Sequence, residues 1–499
     1  MQETSMLLAR TPIADPLNSL ADTALLRTSA YVGGAWVHAR DDASFDVRNP
    51  YDGAAVAKVA ALGGDEARQA VDAASDALPA WKAMLPQDRA LILRRWHDLI
   101  LEAREDLALI MTMEQGKPLA ESLGEIGYGA SFIEWFAEEA KRMNVETVTS
   151  HLDGAHMALS REPLGVAALF TPWNFPSAML ARKAGAALAA GCTVVAHVAS
   201  HAPLSALALA ELAERAGVPA GVFNVLTGDP AEIGEVFTSD RRVRVVSFTG
   251  STEIGRKIAV QCAPTLKRLL LELGGHAPFI VFDDADIEKA VDVAIAAKFA
   301  TSGQDCLAVN RIYVQRGVYD AFCTAFAERV EALKVGNGMD PVNEIGPMMH
   351  QGAVDKARAH VEDALAKGAR LIAEADVDDG QLMVAPVALA DVPDDALIMR
   401  EETFAPVAPI AMFDTEAEVV ARANDSEYGL VAYVLTENAG RALRLPKMLE
   451  YGMVAVNRAK LTGAPIPFGG IKQSGMGREG SRHGLEAFTD LKYVCLDVN

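Results

Sequence analysis

The sequence predicts an α/β protein made of two successive layers of parallel sheet and helix, joined near residue 273. Two observations lead there. Short apolar runs alternate with helical periodicities from residue 193 to residue 333, the pattern of strands crossing over through helices. The chain has 499 residues and is 51% hydrophobic, enough for two or three domains with cores that need no covalent staples.

The first elements are helical. Between Asp65 and Trp81, apolar residues recur at Ala67, Val71, Ala74 and Leu78, with Asp65 placed to cap the start. A second helix runs through Leu91, Trp96, Leu99 and Ile100. Residues 193–198 (TVVAHV) read as a buried strand. A helix over 203–216 follows, stopped by Gly217 with Pro219 just beyond. Then come a strand at Val222–Leu226, a helix near 230–238 and a strand at Val243–Phe248. The chain turns at Thr249-Gly250-Ser251 into a helix starting near Glu253. After Gly275 the alternation resumes: strand 278–282, helix 286–300, strand 311–315, helix 317–333. Residues 336–346 and 376–381 read as surface loops, and residues 1 to about 25 as a poorly ordered extension.

Composition excludes several roles. A net charge of -21 argues against nucleic acid and anionic membranes as partners. The N-terminus lacks the basic and apolar regions of a signal peptide, and no apolar run reaches membrane-spanning length. The five cysteines are scattered, odd in number and free of any CxxC pair, which argues for a reducing cytoplasm and against disulfides or a metal site. Cys192, Cys262, Cys323 and Cys495 read as inert residues.

Cys306 reads differently, because Gly303-Gln304-Asp305 before it imply an irregular polar loop. A thiolate is a strong nucleophile once its pKa is lowered or a base is near. Glu272, in RLLLELGG, follows three leucines; burial there would raise its pKa and suit it to activating water, although a carboxylate at a strand end fits the local sequence equally. Asn174, in TPWNFP, offers an amide that could steady an oxyanion beside the Cys306 N–H, or could simply form a turn before proline. Gly250 to Gly255 set a glycine turn between strand and helix, where backbone N–H groups could hold a pyrophosphate. That segment is not a GxGxxG fingerprint and is also consistent with a plain turn.

Together, TPWNFPSAMLARKAGAALAAGCTVV, FTGSTEIG, LELGG, GQDC, EETFAPV and PFGGIKQSGMGREG resemble the aldehyde dehydrogenase superfamily from about residue 28 onward. Within it, EWFAEEAKR, APFIVFDDAD and GREGSRHGLE are most similar to the succinate semialdehyde dehydrogenases. The resemblance implies a Rossmann-like cofactor domain (28–144 and 163–272) after an N-terminal extension (1–27). It also implies an α/β catalytic domain (273–474) and a small β arm for homodimer or homotetramer formation (145–162 and 475–499). It implies that Cys306 attacks the aldehyde, that Asn174 and the Cys306 amide hold the oxyanion, and that Glu272 activates the water releasing the acid. Lys183 and Glu479 match proton-relay positions. Trp173, Gly228, Gly250, Ser251, Glu402 and Phe404 match positions around NAD or NADP.

Departures from the pattern bear on specificity. His197 stands where the family usually carries a lysine reaching the adenosine ribose, which weakens the hold on a 2′-phosphate. Ser200 stands where NAD-preferring members often have a glutamate, which removes repulsion of that phosphate; the balance leans slightly to NAD. Arg182 matches an arginine that holds the substrate carboxylate, and Thr462 lies near an assisting serine. The second arginine, six residues before Cys306, is replaced by Ala300, for which Lys460 or Arg458 could compensate. Ala308 replaces a second cysteine that forms a redox disulfide in some semialdehyde dehydrogenases. The reading is oxidation of an ω-semialdehyde. Its alternatives are an uncharged aldehyde as substrate, acyl transfer to coenzyme A, a thiol esterase, and a non-enzymatic relic of the fold.

Overall fold

The structure, a computed structural model, describes residues 16–497. The first layer is an eight-stranded sheet in the order Gly475–Met476, Arg268–Glu272, Val243–Thr249, Val166–Thr171, Thr193–Val198, Phe223–Leu226, Ala30–Val32, Ala35–Val37. The five strands from Arg268–Glu272 to Phe223–Leu226 are parallel. The order runs outward in both directions from Val166–Thr171, whose neighbours are Val243–Thr249 and Thr193–Val198. That reversal is a topological switch point, and ligands of such sheets settle beyond the carboxyl ends of the strands there.

The second layer is a seven-stranded sheet from Ala277 to Val456 with Ala277–Val281 and Val309–Gln315 near its centre. A separate three-stranded sheet pairs Thr489–Asp497 with Ala155–Pro163, and the latter with Glu146–Val148.

The predicted alternation from 193 onward is present, with helices at Leu204–Ala216, Pro230–Ser239, Thr252–Cys262, Ile287–Phe299 and Tyr319–Glu331. The punctuation is as expected: Gly217 ends its helix at φ 93°, and Ser251 Oγ accepts from the Ile254 N–H at the start of helix Thr252–Cys262.

Other details differ. Asp65 is not a cap; it sits in the first turn of helix Gly64–Ala83, where it pairs with Arg68, while the Gly63 N–H donates to Glu66 Oε2 (3.0 Å). In helix Pro86–Glu102, Leu91 is 68% exposed, and Ala90 and Leu93 carry the buried face with Trp96 and Ile100. Of the expected terminal extension, residues 1–15 lie outside the described residues. From residue 16 onward the chain is held: Leu20 and Leu25 are buried, and the Asp106 carboxylate accepts from the Ala21 and Asp22 N–H groups (3.0 and 2.8 Å).

Residues 336–346 are only partly at the surface. Gly346 packs on the backbone so closely that a Cβ would stand 2.2 Å from the Gly116 oxygen. The segment assigned to the arm from 475 begins inside the first layer, because Gly475–Met476 pairs with Leu271 and Glu272; the three-stranded sheet takes the chain only from Thr489. No helix of the described residues is long and apolar enough to cross a membrane.

Candidate active site

The switch point collects the expected residues. Trp173 and Asn174 follow strand Val166–Thr171, Gly250 and Ser251 follow Val243–Thr249, and Glu272 ends the strand beside it. Cys306 comes from the second layer, on the loop between helix Ile287–Phe299 and strand Val309–Gln315. It lies where two cavities meet.

One cavity, of about 220 Å³, is walled by Trp173, Asn174, Thr249, Gly250, Ser251, Glu402 and Phe404, with Cys306. Thr249 Oγ1 and Asn174 Oδ1 are buried on it without hydrogen-bond partners. Glu402 accepts from the Gly275 N–H (2.9 Å), and burial pushes its carboxyl up to about 7. Phe404, at φ 54°, meets Trp173 edge-on with ring centroids 5.8 Å apart. Unsatisfied acceptors, a carboxylate and a helix start fit a nicotinamide dinucleotide, whose ribose and carboxamide bring hydroxyl and N–H donors.

The second cavity, of about 300 Å³, is bounded by Tyr128, Phe175, Arg182, Ala300, Thr462 and Phe468, again with Cys306. It places Arg182, Thr462, Ala300 and Lys460 together, while Arg458 is absent from its wall.

The loop that carries Cys306 is strained and pinned. Thr301, Ser302 and Gly303 have φ of 50°, 57° and 70°, three consecutive left-handed residues of which only the glycine adopts that conformation freely. The Glu121 carboxylate accepts from the Thr301 N–H (3.0 Å). Ser302 Oγ donates to the Gly346 oxygen (2.8 Å) and accepts from its N–H (3.1 Å). The Met349 N–H donates to Gln304 Oε1 (2.9 Å). Strain of this kind persists where surrounding contacts over-determine the backbone. Burial pushes the Cys306 thiol well above its ordinary value, and the charges of Asp305 and Glu402 push it further.

Asn174 Nδ2 donates to the Gln304 oxygen (3.0 Å), leaving its second N–H to be used elsewhere. The Asn174 backbone is fixed by Lys117, whose Nζ donates to the Asn174 oxygen (2.7 Å) and to Glu125 Oε2 (2.6 Å). Glu125 Oε1 in turn accepts from the Ser177 and Ala178 N–H groups at the start of helix Pro176–Ala190. Lys117→Met is expected to leave a buried carboxylate unpaired and cost about 3–5 kcal/mol, read as a fall in the thermal midpoint. An unchanged midpoint would mean the pair is not structural.

Glu272 is buried, with Oε2 unpartnered, and lines neither cavity. Burial raises its carboxyl well above the usual range, and the Glu479 charge raises it further against the pull of Arg182 and Lys183. Lys183 Nζ donates to Ser247 Oγ (2.8 Å) and to Glu479, whose other oxygen lies 2.5 Å from Arg182 Nε. Burial alone would raise the Glu479 carboxyl, but the two cations hold it below its ordinary value. Burial lowers Lys183. Thus Lys183, Glu479 and Arg182 form one charge network behind Glu272.

Two expected contacts take another form. His197 is on strand Thr193–Val198 and turns inward, its Nε2 3.3 Å from the Gly228 oxygen. His201 follows in a loop, its ring against His350 with centroids 5.8 Å apart. Gly228, at φ 133°, is required by packing: a Cβ there would stand 2.1 Å from the Leu62 oxygen. Ser200 borders a different cavity of about 350 Å³, with Arg48, Asn49 and His201. Sequence reasoning missed Lys117, Glu121, Glu125, Tyr128 and Thr249. The first four sit on segments read there without assigned elements, and no local pattern ties Lys117 to Asn174 57 residues later, Glu125 to Ser177 52 residues later or Glu121 to Thr301 180 residues later.

A parallel sheet with a cavity at its switch point, fitted to a nicotinamide dinucleotide and opening beside a second cavity, defines a dinucleotide-dependent oxidoreductase. The aldehyde dehydrogenase family model matches residues 36–494, and the chain belongs to that family. It is 51% identical over 480 residues to the NADP+-dependent succinate-semialdehyde dehydrogenase of Escherichia coli (strain K12), covering 96% of this chain and 100% of that protein. It is 50% identical over 479 residues to the glutarate-semialdehyde dehydrogenase of Pseudomonas putida (strain KT2440), covering 96% and 100%. The crystal structure of an aldehyde dehydrogenase from Brucella melitensis biovar abortus 2308 superposes with a TM-score of 0.95 at 51% identity, covering 96% of this chain and 99% of that one. The chain is therefore an NAD(P)-dependent oxidoreductase acting on aldehydes.

Proposed function

We propose that the substrate is an ω-semialdehyde, oxidised to the dicarboxylic acid. The observation that carries this reading is the position of Cys306 between the cavity fitted to the nicotinamide end of the cofactor and a cavity holding Arg182, Thr462 and Lys460. The semialdehyde activities of the Escherichia coli and Pseudomonas putida relatives support it.

The Cys306 thiolate attacks the aldehyde carbon, and the oxyanion is held by the Cys306 N–H and the second N–H of Asn174. NAD(P)+, when bound, supplies the hydride acceptor. Loss of hydride from the same carbon leaves a thioester on Cys306. Glu272 removes a proton from water, which attacks the thioester carbon and releases the acid and the thiolate. Because Glu272 is set back from both cavities, its side chain has to rotate to reach that water. The Lys183–Glu479 pair then returns the proton towards solvent. A hydrolytic base of this kind opposes acyl transfer to coenzyme A.

Trp173, Gly250, Ser251, Glu402 and Phe404 hold the nicotinamide half of the cofactor in this reading, and His197, Ser200 and Gly228 border its adenosine end. With His197 turned to a carbonyl and no carboxylate at Ser200, the site neither grips nor repels a 2′-phosphate, so both NAD and NADP serve. The three-stranded sheet leaves Leu491 and Tyr493 at 60% and 53% exposure on one face of strand Thr489–Asp497 and Leu496 at 52% on the other, apolar surface suited to homo-oligomer formation. A reducing cytoplasm is the compartment that keeps Cys306 a thiol.

The test is steady-state kcat/KM for succinate semialdehyde, glutarate semialdehyde, an aliphatic aldehyde and benzaldehyde, with NAD and with NADP. The semialdehydes are expected to lead by at least about tenfold. Ala300→Arg is expected to lower KM for succinate semialdehyde, since it adds a cation to the wall shared with Arg182. Preference for the uncharged aldehydes would instead mark a repurposed pocket.

A further inference from the structure

Three cations border the substrate cavity: Lys117, Arg182 and Lys460. Two are already engaged. Lys117 is buried against Glu125 at 2.6 Å. Arg182 has its Nε 2.5 Å from Glu479 Oε2, its Nη2 3.1 Å from the Met179 sulfur, and its guanidinium 4.3 Å above the Phe468 ring. Lys460 is exposed, at the mouth, and among the described residues it makes no hydrogen bond or ion pair.

The inner wall carries the opposite charge. Glu121 is held by Thr301, and Asp305 stands next to the nucleophile, where it accepts from the Leu307 N–H (2.9 Å). A substrate carboxylate stopping halfway would therefore meet two acids and an arginine already neutralised by Glu479. One reaching the mouth would meet an unpaired ammonium, with the Ala300 wall leaving room for the chain.

Resting on the semialdehyde reading, we propose that Lys460 is the residue that reads the substrate carboxylate. The preferred substrate is then a semialdehyde long enough to place its acid at the cavity mouth while its aldehyde meets Cys306, for which glutarate semialdehyde is the probe. Lys460 acts as a specificity-determining contact outside the bond-breaking machinery.

Two readouts test this. The first is the ratio of kcat/KM for glutarate semialdehyde to that for pentanal, in the wild type and in Lys460→Met and Lys460→Arg. The second is calorimetric binding of glutarate to the same proteins. Lys460→Met is expected to lower the ratio about fivefold through KM, with kcat little changed, and to weaken glutarate binding by a similar factor. Lys460→Arg is expected to restore most of both. A wild type that prefers glutarate semialdehyde, together with a Lys460→Met variant that keeps the ratio and the glutarate affinity, overturns the assignment. So does a variant that loses activity equally on both aldehydes. A wild type with no preference for glutarate semialdehyde over pentanal overturns the semialdehyde reading itself.

Discussion

Cys306→Ala is expected to lower kcat/KM for aldehyde oxidation by at least about 10³-fold, because no other nucleophile borders both cavities. The dissociation constant for the dinucleotide is expected to change little, since Trp173, Thr249, Glu402 and Phe404 remain in place. Fluorescence titration of the cofactor against the variant checks the second half. A variant that keeps its turnover would remove the covalent mechanism. The wild type carries a pH signature as well. Burial raises the Cys306 thiol, so the thiolate fraction is small at neutral pH and grows as pH rises. Under substrate-limited conditions kcat/KM is expected to climb from neutral into the alkaline range. A flat profile there would mean that thiol ionisation is not limiting.

Glu272→Gln is expected to separate the two halves of the reaction. Its first turnover forms reduced cofactor in a burst close to one per active site, and steady-state turnover then falls by about 10²-fold or more. Stopped-flow absorbance at the nicotinamide band resolves the two phases. The raised Glu272 carboxyl explains why it can serve. A carboxylate held in a buried site beside Glu479 is a stronger base than one in water. If the burst is lost together with the steady state, Glu272 acts before the thioester forms, and the assignment of base to hydrolysis is wrong.

How much of this was legible in the sequence depends on the physical signal each part leaves. The second half of the first layer was readable because short, mostly buried strands alternate with helices set off by glycine and proline stops, as at Gly217 and Pro219. Helix Pro176–Ala190 left no such signal: every residue is buried, so it has no polar face and no period, although it carries Arg182 and Lys183. Cys306 and Asn174 were found because they sit in unusual local wording. Lys117 and Glu121 were not, because their role is to pin segments remote in sequence, and pairing over such distances has no one-dimensional trace. The misplaced apolar face at Leu91 has a simple origin. A helix rich in leucine offers two stripes of similar period, and only the packing of Leu93 and Trp96 against the core selects one. Gly228 shows the converse. The resemblance marks it as a cofactor position, and the structure adds that Leu62 leaves no space for a side chain.

In the proposed mechanism Cys306 carries the acyl group and Glu272 removes it. The most direct measurement mixes the Glu272→Gln variant with semialdehyde and dinucleotide, quenches in acid within the first seconds, and takes the mass of the peptide containing Cys306. A mass increase equal to the acyl group of the dicarboxylic acid less one hydrogen, on that cysteine, is the predicted result. An unmodified Cys306 beside one equivalent of reduced cofactor would contradict the account.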